Sequence, residues 1–323
     1  MRTITLIMAR QITSLALSLA ALTGTVQSVP LVSERQDTCD CYKATDASTD
    51  FFAHRKFFDF RDRSGAAVPD PIVGRDADAA AGVTNSYFSS AEWTDTWGMQ
   101  NWATSGGPVY RVNSFNNIYL APDTDDSPAS NTHLVMRTLR QDDYQSTAEF
   151  ESVSGQYQYL SMRMLARTRG DSGACTSMFT YLGSDPVQEA DLEIRTLTGT
   201  SQIQYTNQPS LDAAGNVVDA ATRVVDAATP WTQWQEHRHD WTPAASAWYV
   251  DGAETARISF QVPTGPLTVL FNAWSDGGEW SGVMAAGGEA EMQIQWIDLT
   301  YNNTAEPAAS ACSNVCSVDS LIG

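Results

Sequence analysis

Strand-like alternation is the sequence feature that most constrains the fold. From Tyr110 onward, apolar and polar residues alternate in short runs that end at Gly, Asn, Asp or Pro. In the clearest run, residues 291–302, Met292, Ile294 and Trp296 fall on one side and Glu and Gln residues on the other. Because strand side chains alternate between two faces, this period of two predicts half-buried strands. The pattern predicts an all-β fold, a sandwich of two antiparallel sheets of the jelly-roll kind.

One predicted strand carries three carboxylates at two-residue spacing. Residues 189–194 read EADLEI, so Glu189, Asp191 and Glu193 project from one face and the apolar residues from the other. Like charges in a row destabilise a sheet, so stability alone would not favour this arrangement. Hydrolysis of a glycosidic bond requires two carboxylates, one beside the sugar and one to protonate the leaving oxygen. The row therefore indicates glycoside hydrolysis, with a solvated acidic strand face as the alternative.

Later segments carry a family resemblance. Residues 236–252 contain HRHDWTP and WYVDG, residues 272–282 read NAWSDGGEWSG, and residues 293–297 read QIQWI. Together with the acidic strand, which precedes the first of these by about 45 residues, they resemble a fungal secreted branch of glycoside hydrolase family 16. The resemblance covers roughly residues 45 to 303. It implies a jelly-roll sandwich with a substrate cleft across the concave sheet.

The resemblance also implies roles for the three acids. By position, Glu189 is expected to be the nucleophile, Asp191 the residue that assists it, and Glu193 the general acid/base. Ala190 departs from the bulkier aliphatic residue that is usual at its position in the family. Because Ala190 is expected to face the core, the departure bears on packing rather than on chemistry.

Two tryptophans are candidate sugar platforms. Trp274 and Trp280 flank the Gly-rich segment 275–279, and aromatic rings bind the flat apolar faces of sugars. Core packing is the competing interpretation for each ring. In the resemblance, His237 occupies a position near the carboxylates, where it is expected to hydrogen-bond Asp191 or a sugar hydroxyl. A structural histidine is the alternative.

Two more candidates follow the acidic strand. Tyr205 and Gln208 lie directly downstream of it and before residues 210–230, which are predicted to be a long loop. Long loops in compact domains are often functional, so this segment is expected to wall the cleft and to bring Tyr205 and Gln208 to the substrate. A passive insertion is the alternative interpretation.

Five cysteines are an odd number, which leaves one unpaired if the others form bridges. The simplest arrangement joins the pair Cys39 and Cys41 to the pair Cys312 and Cys316, with Cys175 free or buried. The sequence does not determine which cysteine of one pair meets which of the other. A zinc site at the four terminal cysteines is the weaker alternative, because oxidising export favours disulfides.

The N-terminal segment predicts export. Residues 1–28 combine two arginines with an apolar run and end in small residues, as in a secretory signal peptide cut near Ser28. The localisation expected is therefore secreted, either extracellular or in the cell wall, and the sequon at Asn302 is an expected glycosylation site. The predicted organisation is a signal peptide (1–28), a Cys-containing segment (29–45), a family 16 β-jelly-roll catalytic domain (46–305) and a Cys-containing tail (306–323).

Net charge restricts the partners. The formal net charge is −19, and losing the two arginines of residues 1–28 makes it −21. Such a charge argues against nucleic acid and anionic membranes and suits a neutral β-glucan. His237 and His239 share a predicted strand face, but no third metal ligand is evident, so neither a metal nor a cofactor is expected. A monomer is expected.

The carboxylates and the resemblance together predict a secreted retaining endo-β-glucanase that hydrolyses β-1,3 or mixed β-1,3/1,4-glucans by double displacement. A cell-wall glucan transglycosylase uses the same intermediate and is the first alternative. A non-catalytic glucan-binding lectin is the second. The sequence does not distinguish between the linkages.

Overall fold

Strands dominate the part of the chain that the computed structural model describes, residues 39–306 and 312–322. The nineteen strands in these residues are β1 (Cys41–Lys43), β2 (His54–Asp59), β3 (Trp97–Met99), β4 (Ala103–Thr104), β5 (Tyr110–Asn113), β6 (Ile118–Pro122), β7 (Thr132–Arg140), β8 (Tyr144–Ser152), β9 (Tyr157–Gly170), β10 (Cys175–Leu182), β11 (Gln188–Arg195), β12 (Gln202–Gln208), β13 (Thr222–Asp226), β14 (Gln235–Trp241), β15 (Ser246–Val250), β16 (Ala253–Ile258), β17 (Thr268–Trp274), β18 (Glu289–Asn303) and β19 (Val315–Ser317). The predicted signal peptide, residues 1–28, lies outside the described residues.

Helices are few and short. The α-helices of the described residues are α1 (Arg75–Ala79) and α2 (Ala91–Thr94), and single 3₁₀ turns occur at Ser86–Ser89, Phe115–Asn117, Asp219–Ala221 and Val318–Ser320. In the same part of the chain, no helix has both the length and the apolar character needed to cross a membrane.

Two sheets pack against each other and share strand β8. The strand order of the first sheet is β13-β12-β11-β10-β17-β8-β3. The second sheet runs β16-β15-β14-β9-β18, and β18 continues to β2 and β7. Strand β8 pairs with β5 through Tyr144–Thr147 and with β17 through Ala148–Glu151, so it passes from the second sheet into the first. The predicted all-β sandwich is confirmed.

A continuous apolar core lies between the sheets. Leu192 of β11 is opposite Met178 of β10, which is opposite Phe271 of β17, which is opposite Phe150 of β8. All four side chains are fully buried, and so is Ala190, as predicted. Residues of the second sheet complete the same cluster, among them Met162, Met164, Trp248 and Ile297. Truncating one of the large side chains in this row is expected to cost about 2–5 kcal/mol.

The two ends of the described chain are joined covalently. Strand β1 pairs in parallel with β19, and disulfides link Cys39 to Cys316 and Cys41 to Cys312. The predicted linkage between the two cysteine pairs is thus confirmed, and Cys175 is free and buried. At the end of β18, the half-buried Asn302 accepts a hydrogen bond from the Ala53 backbone N–H at 2.9 Å. Its glycosylation stays a prediction.

The segment downstream of β12 is more regular than predicted. The expectation of a loop through residues 210–230 is wrong for Thr222–Asp226, which forms β13 and pairs with β12. The residues of β13 are exposed or half-buried, so the strand lacks the buried face that alternation would reveal. Thr222, Val224 and Val225 favour extended backbone, and pairing with β12 makes the segment a strand.

Candidate active site

Strand β11 carries the three acids of the sequence prediction on one face of the first sheet. Side chains opposite one another on paired strands share a face, so Glu193 lies between Ser177 of β10 and Gln204 of β12. The two glutamates are half-buried, and Asp191 between them is only 2% exposed. Among the described residues, no salt bridge includes any of the three. The row is therefore acidic without a cation partner within bonding distance.

Each acid has its own hydrogen-bond environment. Asp191 shares a hydrogen bond with Glu189 and accepts another on Oδ2 from Gln208 Nε2 at 3.3 Å. Glu193 accepts a hydrogen bond on Oε1 from the indole N–H of Trp280 at 3.0 Å. Gln208 and Trp280, both predicted to belong to the site, are therefore in contact with its carboxylates.

The row retains protons better than isolated carboxyl groups do. Burial is the largest cause and raises the pKa of Glu189, of Asp191 and of Glu193. The charges of the two glutamates raise the pKa of Asp191 further, and its hydrogen bond to Glu189 does the same. For Glu193, the hydrogen bond from Trp280 acts in the opposite direction and lowers the pKa. Asp191 is therefore the residue that keeps its proton and donates a hydrogen bond to Glu189.

The three carboxyl groups of β11 suit a reaction in which one group acts as a nucleophile and another as an acid/base at the same bond. A carboxylate next to a proton donor and a second carboxyl group in a separate environment give two groups with different proton occupancy, as a nucleophile and an acid require. In the part of the chain that the structure describes, no group of three or more His, Cys, Asp or Glu side chains could hold a metal ion.

Comparisons with known proteins agree with this geometry. The family model described as Glycosyl hydrolases family 16 matches residues 112–298, more than half of the chain. The chain belongs to glycosyl hydrolase family 16. It is 25% identical over 226 residues to a beta-glucanase of Paenibacillus polymyxa, an alignment that covers 67% of this chain and 86% of the relative.

Solved structures of similar fold include two glucanases. One is a prokaryotic beta-1,3-1,4-glucanase (lichenase) from a mouse hindgut metagenome, with a TM-score of 0.53 and 16% identity, covering 76% of this chain and 99% of that one. The other is the catalytic domain of an endo-1,3-beta-glucanase (laminarinase) from Thermotoga petrophila, with a TM-score of 0.52 and 14% identity, covering 70% and 96%. At these identities the structural likeness confirms the fold alone, while the family assigns the chain as a glycoside hydrolase.

The polar face of the family 16 enzyme extends well beyond β11. Glu193 is opposite Ser177, which is opposite Asn272 of β17, which is opposite Glu149 of β8. Three strand spacings of about 4.8 Å separate Glu149 from Glu193, which is about 14 Å. Trp102, 43% exposed, donates its indole N–H to Glu149 Oε1 at 3.1 Å. Sequence reasoning did not identify Glu149, Asn272 or Trp102, although Glu149 and Glu151 repeat the two-residue spacing of the β11 acids.

The loop after β17 brings Trp280 to the acids, where its indole N–H contacts Glu193. Trp274, the other predicted tryptophan, ends β17 on the carboxylate face, opposite Cys175 of β10. The Arg111 guanidinium lies 5.0 Å from the ring centroid of Trp274. Gly277 adopts φ 70°, and a Cβ there would lie 2.6 Å from the Val109 side chain, so the loop requires glycine at this turn.

Two predicted site residues lie elsewhere. Tyr205 is opposite Leu192, so it points into the core, where its hydroxyl lies 3.1 Å from Thr255 Oγ1. His237 is on β14 of the second sheet, opposite Met164, and is fully buried. Neither ring nitrogen of His237 has a hydrogen-bond partner in the described residues, and burial lowers its pKa to about 4. The predictions that these two residues contact substrate are wrong, because both face the interior of the sandwich.

Proposed function

We propose that this family 16 enzyme is a secreted retaining endo-β-glucanase that hydrolyses β-1,3 or mixed β-1,3/1,4-glucans. The observation that carries the proposal is the carboxylate row of β11, in which Glu189 and Glu193 have different hydrogen-bond donors. Buried like charges without a cation cost stability, and a double-displacement mechanism supplies the reason to keep them.

The first chemical step forms a covalent intermediate. The Glu189 carboxylate attacks the anomeric carbon, the bond to the glycosidic oxygen breaks, and Glu193 transfers its proton to that departing oxygen. Asp191 keeps its proton and donates a hydrogen bond to Glu189, which orients the nucleophile. The enzyme is then esterified at Glu189 and Glu193 is ionised.

The second step releases the sugar. Glu193, now a carboxylate, removes a proton from a water molecule as the water oxygen attacks the anomeric carbon. The ester bond to Glu189 breaks, and the product leaves with the same anomeric configuration as the substrate. Glu193 regains its proton and Glu189 its charge, so the enzyme returns to its starting state without a cofactor.

The extended face supports a polymeric, uncharged substrate. The polar row from Glu193 to Glu149 spans about 14 Å at about 4.8 Å per strand, which leaves room on the sheet for sugar rings beyond those at the cleaved bond. Exposed aromatic rings accompany the row, with Trp280 37% exposed and Trp102 43% exposed. Such rings bind the apolar faces of sugars while carboxylates and amides bind hydroxyls. The curated and structural relatives named above, a beta-glucanase, a lichenase and a laminarinase, support β-glucan as the polymer.

The proposal includes export and a monomeric state. Residues 1–28 have the composition of a signal peptide, and the two disulfides between the chain ends suit an oxidising compartment. A cell-wall or extracellular location, membership of a fungal secreted branch and a glycan on Asn302 belong to the same proposal.

Product analysis tests the proposed activity. The purified protein is incubated with laminarin and with lichenan, with and without a labelled glucan oligosaccharide, and products are analysed by mass spectrometry beside Glu189→Gln. Short unlabelled products from wild type alone, formed with retained configuration by NMR, are expected. Longer labelled products would show that the protein is a transglycosylase rather than a hydrolase. Binding of glucan without any products would show that it is a lectin.

A further inference from the structure

One oxygen of Glu193 is held by donors from two separate parts of the fold. The indole N–H of Trp280, on the loop after β17, lies 3.0 Å from Oε1, and the Cys175 thiol of β10 lies 3.5 Å from the same atom. Oε2 receives no hydrogen bond from any of the described residues. The carboxyl group is therefore held from one side only.

The thiol acts as a donor in this arrangement. Cys175 is fully buried and takes no part in a disulfide. Burial and the Glu193 charge raise the pKa of the thiol, so it keeps its proton. The Cys175 sulfur lies 3.5 Å from Ser177 Oγ on the same strand and 3.5 Å from Glu193 Oε1 on the neighbouring strand. A protonated thiol beside a carboxylate donates a weak hydrogen bond.

The indole is held in place as well. The Arg195 guanidinium lies 4.3 Å from the Trp280 ring centroid. Next to Trp280, Ser281 donates its hydroxyl to Asp276 Oδ1 at 2.8 Å. At Gly282, which adopts φ 86°, a Cβ would meet the Leu197 side chain at 2.9 Å, so the loop lies close to the end of β11. The direction of the indole N–H is thus set by contacts on both sides.

We propose that Trp280 and Cys175 are positioning residues that hold Glu193 by Oε1, so that Oε2 is the oxygen that carries and delivers the proton. The inference rests on the proposed acid/base role of Glu193. A carboxyl oxygen that accepts two hydrogen bonds is disfavoured as the site of protonation, because a protonated oxygen is a poorer acceptor. The proton is therefore placed on the free oxygen, where the glycosidic oxygen of a substrate arrives.

The same donors oppose the effect of burial on the acid. Burial raises the pKa of Glu193, whereas the hydrogen bonds from Trp280 and Cys175 favour its ionised form. The other ionisable groups facing it are on its own strand, Arg195, Asp191 and Glu189, while its neighbour on β12 is the uncharged Gln204. Loss of either donor should therefore move the ionisation of Glu193 to higher pH.

Three variants test the inference through the pH profile of kcat/KM on lichenan and laminarin. Trp280→Phe keeps an aromatic ring and removes the N–H, Cys175→Ala removes the thiol, and Cys175→Ser keeps a donor. We expect Trp280→Phe to lower kcat about tenfold and Cys175→Ala by a smaller factor, as for the loss of hydrogen bonds to a charged group. In both, the basic limb should move to higher pH with little change in KM, and Cys175→Ser should keep the limb of wild type.

The outcomes separate this inference from the proposed function. A loss of activity in Trp280→Phe and Cys175→Ala, with the basic limb of the pH profile where it is in wild type, would show that the two residues act through packing alone. That result would overturn the positioning role. Cys175→Ser that behaves like Cys175→Ala would overturn the role of the thiol. Glu193→Gln is the control, expected to lose cleavage of both glucans but to retain a burst of dinitrophenol from an aryl glucoside oligosaccharide, because the first step then requires no acid while the second step lacks its base. Full glucan hydrolysis by Glu193→Gln, or inactive wild type, would refute the acid/base assignment itself.

Discussion

Strands β11 and β14 both carry ionisable residues at every second position, but they compensate those charges differently. On β14 the row is acid, arginine, acid, at Glu236, Arg238 and Asp240. Arg238 Nε lies 3.3 Å from Asp240 Oδ1, and Arg163 of the neighbouring β9 lies 3.5 Å from Glu236 Oε1. Ser161 donates a hydrogen bond to Asp240 at 2.6 Å. On β11 the row consists of three acids, and each has another carboxyl group as its neighbour along the strand.

The difference separates charges that support the structure from charges that are available for chemistry. Burial raises the pKa of the acids on both strands. On β14 the nearby arginines lower the pKa of Glu236 and of Asp240, whereas on β11 the neighbouring glutamates raise the pKa of Asp191. The arginine pairs also join the sheet to the chain termini, since Arg163 lies 2.8 Å from Asp319. Between these two strands, the buried acids that form no salt bridge with the described residues are the ones at the candidate active site.

Removing one acid from each strand should give the largest contrast. Glu189→Gln is expected to lower kcat by roughly a thousandfold or more, because it removes the proposed nucleophile at nearly constant shape. Glu236→Gln is the matched change on β14. It should keep kcat within about threefold of wild type, because Glu236 lies on the second sheet and does not contact the β11 acids. Initial rates on lichenan below the unfolding temperature measure both. Equal losses in the two variants would remove the distinction between the strands.

Removing an arginine should affect stability instead. Arg163→Met is expected to lower the free energy of unfolding by about 1–3 kcal/mol, because it leaves the buried Ala44 carbonyl and the half-buried Glu236 without their donor. Arg195→Met, beside the β11 row, should cost about 1 kcal/mol or less, the typical energy of a cation–π contact. Urea denaturation measures the two values. A larger cost for Arg195→Met than for Arg163→Met would contradict the view that the paired charges are the structural ones.

Asp191→Asn should separate activity from stability at one position. We expect kcat to fall about a hundredfold, because the change alters the hydrogen-bond donor that is proposed to orient Glu189. The free energy of unfolding at pH 8 should rise. The raised pKa of Asp191 means that the folded state binds a proton that the unfolded state releases at this pH, and this difference lowers the stability of wild type. Asparagine does not ionise, so the variant avoids that cost. Denaturation at pH 8 and at pH 4 checks the second effect, which should be absent at the lower pH. A loss of stability at pH 8 would argue that Asp191 is structural.

A pH-dependent effect on stability is expected at Glu149, on the same face as the row. Burial raises the pKa of Glu149 to about 7 from its usual 4.5, so the folded state binds more protons than the unfolded state between these values. The free energy of unfolding therefore falls as pH rises through this window, and Glu149→Gln should remove about 1–3 kcal/mol of that fall.

Asp125, in the loop between β6 and β7, provides the opposite control. Hydrogen bonds from Arg167 and Arg169 lower its pKa to about 2, so its stabilisation is present above its usual pKa of 3.8 and is lost as pH falls toward 2. Asp125→Asn should change the acid side of the stability profile and Glu149→Gln the neutral side. Identical profiles for the two variants would show that pairing with arginine does not distinguish these acids.

The sequence by itself determined which residues share a face and which chain ends meet. A period of two separates Glu189, Asp191 and Glu193 from Ala190 and its apolar neighbours, and this local rule requires no knowledge of the partner strands. The cysteines grouped at the two ends likewise predicted the bridged termini that the structure contains. Gln208 lies beside the acids because β12 is the next strand after β11 in the chain and pairs back onto it.

Only the tertiary structure decided which strand faces point away from the core and what lies beside the acids. Tyr205 is close to Gln208 in sequence but on the opposite face, because the register of β12 against β11 places it across from Leu192. His237 belongs to the other sheet, whereas Glu149 and Cys175 join the acids through strand pairings that a single sequence does not reveal. The backbone of a single strand determines which of its side chains share a face. Register and sheet membership depend on hydrogen bonds and packing between segments far apart in the chain.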